Sequence, residues 1–270
     1  MSRFTRLPSG EGMPVLGQGT WGMAEDARRR SDELAALRTG IDLGMTLIDT
    51  AEMYADGGAE ALVGEAIAGQ RDRVFLVSKV LPNNADGSGT RHACERSLHR
   101  LGTDHLDLYL LHWRGPVPLA ETVAAFTDLV EEGLIRHWGV SNFDAADLIE
   151  LTSLAGGRMV EADEVLYHLA RRDAEADLLP LCSRAGLPTM AYSPFDHGTI
   201  LRHPVLEQIA ERHLATPAQV ALAWVLRNDG LAAIPKASTP AHARENRAAL
   251  DLRLSGDDLA DLDRAFPRDR

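Results

Sequence analysis

Val74-Phe75-Leu76-Val77-Ser78-Lys79 and, beyond a helical pattern at 90–101, Leu106-Asp107-Leu108-Tyr109-Leu110-Leu111-His112 are two short apolar runs, each ending on a side chain capable of chemistry. Runs of this length and composition read as buried strands, and a helix between two of them makes a parallel βαβ unit. Working outward, the same alternation fills the chain. Further strand candidates are Val15–Gly19, Thr46–Asp49, Ile135–Val140, Met159–Val165, Leu187–Ala191 and Leu231–Ile234. Helical patterns lie at 32–43, 59–68, 119–132, 144–154, 173–185, 217–227 and 241–250. Eight strand–helix repeats predict a (β/α)₈ TIM barrel better than an open doubly wound sheet.

Two helical stretches fall outside the repeat, at 203–213 and 256–266, and Phe4–Gly12 is expected to form an N-terminal hairpin that plugs the barrel floor. Helix punctuation agrees: Ser31 precedes an acidic first turn, and Gly44, Gly102 and Gly133 stand where helices should stop. Thr216-Pro217-Ala218-Gln219 combines an N-cap, a first-turn proline and a capping-box glutamine. No linker or low-complexity segment interrupts the pattern, so residues 1–270 are expected to form one domain.

Bulk properties narrow the function. A net charge of −12 argues against nucleic-acid and anionic-membrane partners, which favour basic surfaces. The two cysteines, Cys94 and Cys182, lack a redox or metal spacing and read as reduced thiols. The start Met1-Ser2-Arg3-Phe4 has no signal-peptide character, and no apolar run reaches membrane-spanning length. A cytoplasmic enzyme is the expectation, and nothing points to an obligate interface, so a monomer is expected.

Gly17-Gln18-Gly19-Thr20-Trp21-Gly22 matches the dinucleotide fingerprint G-x-G-x-x-G. The third glycine should open a helix, but the charged loop Ala24–Arg30 intervenes. This is better read as a loop at the barrel mouth, with Trp21 over the pocket.

Barrel chemistry gathers at the C-terminal ends of strands. Asp49, Tyr54, Lys79 and His112 all follow strand candidates and should meet there. In such a cluster Tyr54 is the general acid, Lys79 a cation that brings the phenol's pKa down, and Asp49 the anion that keeps Lys79 charged. A neutral His112 would orient a carbonyl oxygen. Each residue also has a plainer reading. Asp49 is the type that caps turns, Tyr54 packs, His112 bonds a backbone carbonyl, and Lys79 suits a solvated strand end or a Schiff-base aldolase.

Leu47-Ile48-Asp49-Thr50-Ala51 with Met53-Tyr54, then Gly64-Glu65-Ala66-Ile67, resembles the aldo-keto reductase signature. Val77-Ser78-Lys79-Val80, Leu108–His112 and Gly139-Val140-Ser141-Asn142-Phe143 continue the likeness. So do Ala191-Tyr192-Ser193-Pro194, Ile234-Pro235-Lys236-Ala237-Ser238 and Glu245-Asn246. In detail the chain is similar to bacterial, broad-specificity reductases of small aldehydes and ketones. The resemblance implies a catalytic tetrad of Asp49, Tyr54, Lys79 and His112, with Tyr54 the proton donor. It implies NADPH lying across the barrel mouth. Ser141 and Asn142 would hold the carboxamide, Tyr192 would stack on the nicotinamide, and Gly19, Thr20 and Trp21 would border cofactor and substrate. Asp49, Glu164, Ser193, Lys236, Ser238, His242, Arg244 and Asn246 complete the implied cofactor site, and Trp21, Tyr54, His112 and Trp113 the substrate pocket. No metal is implied. A rival of another class is a redox-sensing protein that holds NADP(H) with little turnover. Ser141-Asn142 could also simply cap the next helix, and Tyr192-Ser193-Pro194 could be an ordinary strand exit.

The chain departs from the family pattern at two cofactor positions. Asp163-Glu164 stand where the family usually has Asn-Gln; an ionised Glu164 would accept but not donate hydrogen bonds, and should favour the oxidised, cationic ring. The family's 2′-phosphate arginine aligns with His242, and Ala237 replaces a serine, so discrimination against NADH should weaken, more so above pH 7. The sequence ends at Arg270, directly after the last helix, without the long C-terminal loop of many relatives. An open pocket bordered by Trp21, Tyr54, Trp113 and Trp138 is therefore expected.

Overall fold

In the computed structural model, which describes residues 3–268, the eight expected strands form one parallel sheet. Residues 1, 2, 269 and 270 of the expected 1–270 domain lie outside the described residues. A two-stranded hairpin, β1 (Phe4–Arg6) and β2 (Gly12–Pro14), precedes the sheet. The barrel strands are β3 (Gly17–Gly19), β4 (Leu47–Asp49), β5 (Phe75–Val80), β6 (Leu106–Leu111), β7 (Ile135–Ser141), β8 (Asp163–Leu166), β9 (Thr189–Tyr192) and β10 (Leu231–Ala233), each paired with its neighbour in sequence. First and last strands meet where the Ala233 N–H donates to Val15 O (2.8 Å) and the Gly19 N–H to Pro235 O (3.2 Å).

Helices α1 (Arg30–Asp42), α2 (Gly58–Ile67), α3 (Gly87–Leu101), α4 (Leu119–Glu131), α5 (Ala145–Ser153) and α6 (Leu178–Ala185) follow successive strands. The expected extra helix, α7 (Pro204–His213), precedes α8 (Pro217–Val225); α9 (Pro240–Ala248) and α10 (Gly256–Ala265) close the chain. Thr216 and Gln219 form the expected reciprocal capping box on α8. Gly102 ends α3 in the left-handed conformation (φ 64°), which only glycine adopts without a Cβ clash.

Apolar burial occurs in two layers. Leu7 and Met13, beside the hairpin, pack with Leu47, Phe75, Val77, Leu108, Leu110, Ala162 and Met190 inside the barrel, which is the expected floor plug. The larger layer, with Leu76, Tyr109, Phe126, Trp138, Trp224 and many aliphatics, lies between sheet and helices.

Three sequence expectations shift. The sixth barrel strand starts at Asp163 and not Met159, because Gly157–Met159 form a 3₁₀ turn and pairing with β7 begins at Val140–Asp163. The 173–185 pattern divides into a 3₁₀ turn, Asp173–Glu175, and α6. Helix α1 begins at Arg30, so Ser31 lies within its first turn and does not cap it.

Candidate active site

Strand alternation aims the reactive side chains. Along β5, Phe75 and Val77 lie inside the barrel while Leu76 and Val80 face the helices, so Lys79 continues the inward row. The same two-residue step leads from Leu47 to Asp49, from Leu110 to His112, from Ala162 to Glu164 and from Met190 to Tyr192. The apolar interior therefore ends, at the C-terminal rim, in a ring of polar groups. Tyr54 arrives from the loop after β4, opening a 3₁₀ turn (Tyr54–Gly57) in which Ala55 (φ 49°) and Asp56 (φ 51°) are left-handed.

Lys79 is the hub of this ring. Its fully buried ammonium donates to Asp49 Oδ1 at 2.5 Å, Thr50 O at 3.3 Å and Tyr54 Oη at 3.3 Å. An ammonium has three N–H bonds, and these acceptors use them all. A second carboxylate oxygen, Glu164 Oε2, lies 3.3 Å from Nζ yet has no hydrogen-bond donor. The Asp49 and Glu164 carboxyls thus face the same ammonium from two strands. His112 is buried with its ring edge-on to Tyr54, centroids 5.7 Å apart.

Electrostatics revise two expectations. Burial pushes the Tyr54 phenol above its ordinary pKa; the Lys79 charge opposes this, but the Asp49 and Glu164 carboxylates reinforce it. The phenol is thus held protonated, where the sequence suggested a lowered pKa from Lys79 alone. Burial, then the Asp49 charge, pushes Glu164 well above the carboxylate range despite Lys79. That direction runs against the expectation of an ionised Glu164. Burial alone would depress Lys79, but Asp49 and Glu164 outweigh it and hold the ammonium charged. His112 is pushed down to about 3, by burial first and Lys79 second, so its ring is neutral as expected.

The ring opens into a cavity of about 750 Å³ lined by Gly19, Trp21, Asp49, Tyr54, His112, Trp113, Ser141, Asn142, Glu164, Tyr192, Ser193, Lys236, Ser238 and His242. At one end, the Ser141 hydroxyl donates to Glu164 O (3.0 Å), and Asn142, left-handed at φ 60°, donates to His112 O (3.0 Å) and accepts from the Tyr192 hydroxyl (2.8 Å). These bonds fix the Tyr192 ring over the cavity. They also dispose of the capping alternative, because Asp144, not Ser141 or Asn142, caps α5. At the other end Lys236, Ser238 and His242 gather at the N-terminus of α9, where Thr239 caps the first turn. A helix N-terminus with a lysine and a hydroxyl suits a phosphate. The donor set fits a dinucleotide with a carboxamide at one end and phosphate at the other, and the cavity-lining Glu164 keeps an orphaned buried oxygen.

Not every predicted residue reaches the cavity. Thr20 is buried behind it, its hydroxyl donating to Asp49 O (2.9 Å). Arg244 is exposed on α9 and Asn246 is buried there; neither lines the cavity. Trp138 corrects the pocket expectation. Inward Gly139 and Ser141 set the alternation of β7, so Trp138 points outward and stacks on Phe126 at 5.5 Å. Met53, Leu166, Pro194, Phe195, His197, Gly198 and Ile234 also line the cavity and were not foreseen. The 193–198 segment turns through left-handed Ser193, Asp196 and His197 as well as Gly198; Ser193-Pro194, Asp196 and Gly198 signal a turn in the sequence but not that it folds over the cavity. It brings His197 against Trp21 at the mouth, ring centroids 5.3 Å apart.

Among the described residues no cluster of three or more His, Cys, Asp or Glu could hold a metal ion, and no helix is long and apolar enough to cross a membrane.

Residues 15–266 match the sequence profile of the Aldo/keto reductase family. Methylglyoxal reductase YeaE of Escherichia coli is 55% identical over 260 residues, covering 94% of this chain and 92% of that protein. A crystal structure of an aldo/keto reductase from Klebsiella pneumoniae in complex with NADP and acetate superposes with a TM-score of 0.96 at 51% identity, covering 100% of this chain and 97% of that one. A Klebsiella pneumoniae aldo-keto reductase in complex with NADPH matches with the same TM-score of 0.96, identity of 51% and coverage of 100% and 97%.

Proposed function

This chain belongs to the aldo/keto reductase family, and from that premise we propose that it is an NADPH-dependent reductase of small aldehydes and ketones, acting as a cytoplasmic monomer. The observation that carries the reading is the Lys79 ammonium bonded to both Asp49 and Tyr54 at the floor of a cavity large enough for a dinucleotide and a small carbonyl. Ser141, Asn142 and Glu164 would hold the carboxamide, Tyr192 would flank the nicotinamide ring, and Lys236, Ser238 and His242 would take the phosphate end.

When bound, NADPH supplies hydride to the carbonyl carbon. The carbonyl oxygen sits between the neutral His112 ring and the Tyr54 hydroxyl, which orient it. As negative charge builds on that oxygen, Tyr54 gives up its proton to it. Lys79, 3.3 Å from the phenol oxygen, stabilises the phenolate left behind. Tyr54 is thus a weak acid in the ground state that becomes a competent donor only against a forming alkoxide. Such selectivity for the transition state raises the rate of the chemical step itself.

The substrate class to test first is the 2-oxoaldehydes, since a relative 55% identical is named a methylglyoxal reductase. The exposed Trp21, Met53 and Trp113 at the cavity mouth suit small carbonyls of mixed polarity. The test is NADPH oxidation over a panel of small aldehydes, methylglyoxal included, for wild type and Tyr54→Phe. Turnover in the wild type, with kcat lower by about 10²–10⁴-fold in Tyr54→Phe and NADPH affinity retained, is expected. Tight NADPH binding without turnover of any carbonyl would instead make the protein a cofactor sensor. Borohydride trapping of substrate on Lys79 would make it an aldolase.

A further inference from the structure

The buried acid pair beside Lys79 deepens this reading. Asp49 on β4 and Glu164 on β8 face one ammonium on β5, and all three side chains are almost wholly out of water. Two carboxylates sharing one buried cation cannot both stay ionised without a strong like-charge penalty. The geometry says which one keeps the charge. Asp49 takes the shortest bond from Lys79, 2.5 Å, while Thr50 O and Tyr54 Oη take the other two donors. Glu164 Oε2 is left buried without a donor, a costly state for a carboxylate and an ordinary one for a carboxylic acid.

We infer that Glu164 is a neutral carboxylic acid in the free enzyme, its proton held against Asp49, and that it gives up this proton when the oxidised, positively charged nicotinamide occupies the cavity. A protonated carboxyl presents one O–H donor and one acceptor, the same pair of functions as a glutamine amide. With its O–H held against Asp49, Glu164 keeps acceptor capacity for a carboxamide, and it adds a titratable charge that an amide lacks. The cofactor half of the inference rests on the function proposed above.

The surrounding ionisable groups leave the acid pair as the one that responds. Lys79 on β5 and Tyr54 after β4 are held in their protonated forms, and His112 after β6 is held neutral. Tyr192 on β9, whose phenol burial raises, stays protonated as well. From β7 the neighbour is Ser141, which does not titrate. Lys236 and His242 line the far end of the same cavity, toward the phosphates that both redox forms of the cofactor share. Asp163, next in the chain, is buried on the opposite face of β8 and is separable by residue type. The net effect is a site whose preference for NADP⁺ over NADPH grows with pH.

Two measurements test this. Infrared spectroscopy of the cofactor-free protein labelled with ¹³C-glutamate should show, at pH 7, an isotope-shifted protonated-carboxyl band that Glu164→Gln removes; aspartate labelling isolates Asp163. Titration calorimetry in buffers of differing ionisation enthalpy should then show up to one more proton released on binding NADP⁺ than on binding NADPH. That corresponds to a NADP⁺/NADPH affinity ratio rising about tenfold per pH unit, and Glu164→Gln should flatten it while still binding both forms. Absence of the glutamate band overturns the first half. Equal proton release for the two forms in the wild type, or an unchanged pH slope in Glu164→Gln, overturns the second. Failure of the protein to bind either dinucleotide would overturn the reductase reading together with the cofactor half, and the band in the free protein is read independently of both.

Discussion

Replacing Lys79 with methionine keeps the volume of the buried stem and deletes the cation. The ammonium has 0% side-chain exposure and is bonded to Asp49, Thr50 and Tyr54, with Glu164 at ion-pair distance. Removing one partner of a buried pair costs about 3–5 kcal/mol at neutral pH, because the remaining charge is stranded. The more specific consequence is in the pH dependence. In the unfolded chain both carboxyls titrate near ~4. In the folded wild type the pair retains one proton well above that pH, so its folded state binds more protons than the unfolded state. A raised folded pKa gives stability that is full below the unfolded pKa and is lost as pH rises through the folded one. Each such proton costs about 1.4 kcal/mol per pH unit across that window. Without Lys79, Asp49 has no cation to hold its charge, and the pair retains two protons. Across that window the wild type then loses stability through one proton of this pair and Lys79→Met through two, so the variant's slope is about twice as steep. Asp163, raised by burial, and Asp258, lowered against burial by its bonds to His213, Ser255 and Arg212, act alike in both proteins and cancel. Urea unfolding of the two proteins at pH 5, 6 and 7 reads the difference directly. Most of the variant's deficit at pH 7 should be recovered at pH 5. Stability curves that run parallel over this range would refute the shared-proton account of the pair.

Three further outcomes follow from the geometry. His112, held neutral by burial and then by Lys79 with a pKa of about 3, should show ring NMR shifts that stay constant from pH 5 to 8; titration near ~6.5 would mean the ring is more solvated than the structure has it. His242→Arg should raise the preference for NADPH over NADH by about tenfold, the worth of one charge-assisted bond, and remove its pH dependence; a wild-type preference that is large and flat from pH 6 to 8 would take His242 out of the phosphate site. Thr216→Ala, which breaks the capping box of α8 far from the cavity, should cost about 1 kcal/mol in unfolding experiments and leave kcat as it was.

The barrel and the meeting of Asp49, Tyr54, Lys79 and His112 at its rim were legible because their signals are local. A run such as Leu106–Leu111 is apolar on both faces, and its last residue inherits its direction from strand alternation. The same rule, applied to β7, would have placed Trp138 outside the barrel, since it is one step from inward Gly139 and an odd number of steps from inward Ser141. What the alternation did not deliver was the start of β8. Met159 and Val160 look like strand residues, while Asp163-Glu164 look like a strand's exit; yet the two acids sit in the ladder, buried on both faces, and Met159 is half exposed. Glu164 faces Lys79 on another strand, a neighbour that no local pattern contains. The cavity segment 193–198 was hidden for a related reason: its turns are closed by local bonds such as Asp196 N–H to Ser193 O, but the packing of His197 against Trp21 that brings it over the mouth joins residues far apart in sequence.

Charge state was the least legible property, and the reason is general to sites of this kind. Reading Asp49, Tyr54 and Lys79 in sequence pairs each acid with one base and predicts a phenol made more acidic by its lysine. Folding adds Glu164 from the far side of the barrel, and the count changes to two carboxyls against one ammonium. Burial, the largest influence, reverses the direction for Tyr54; Asp49 first keeps Lys79 charged despite full burial; and burial with the Asp49 charge raises Glu164. None of these is a property of one residue. A phenol held protonated by burial is a poor acid until an alkoxide forms beside it, and on the inference above Glu164 loses its proton only when a cation arrives in its place. The site's response is therefore to the charges that appear during hydride transfer. The position with the least family-like residue is, on this reasoning, the one that ties the protonation of the tetrad to the oxidation state of whatever dinucleotide the cavity holds.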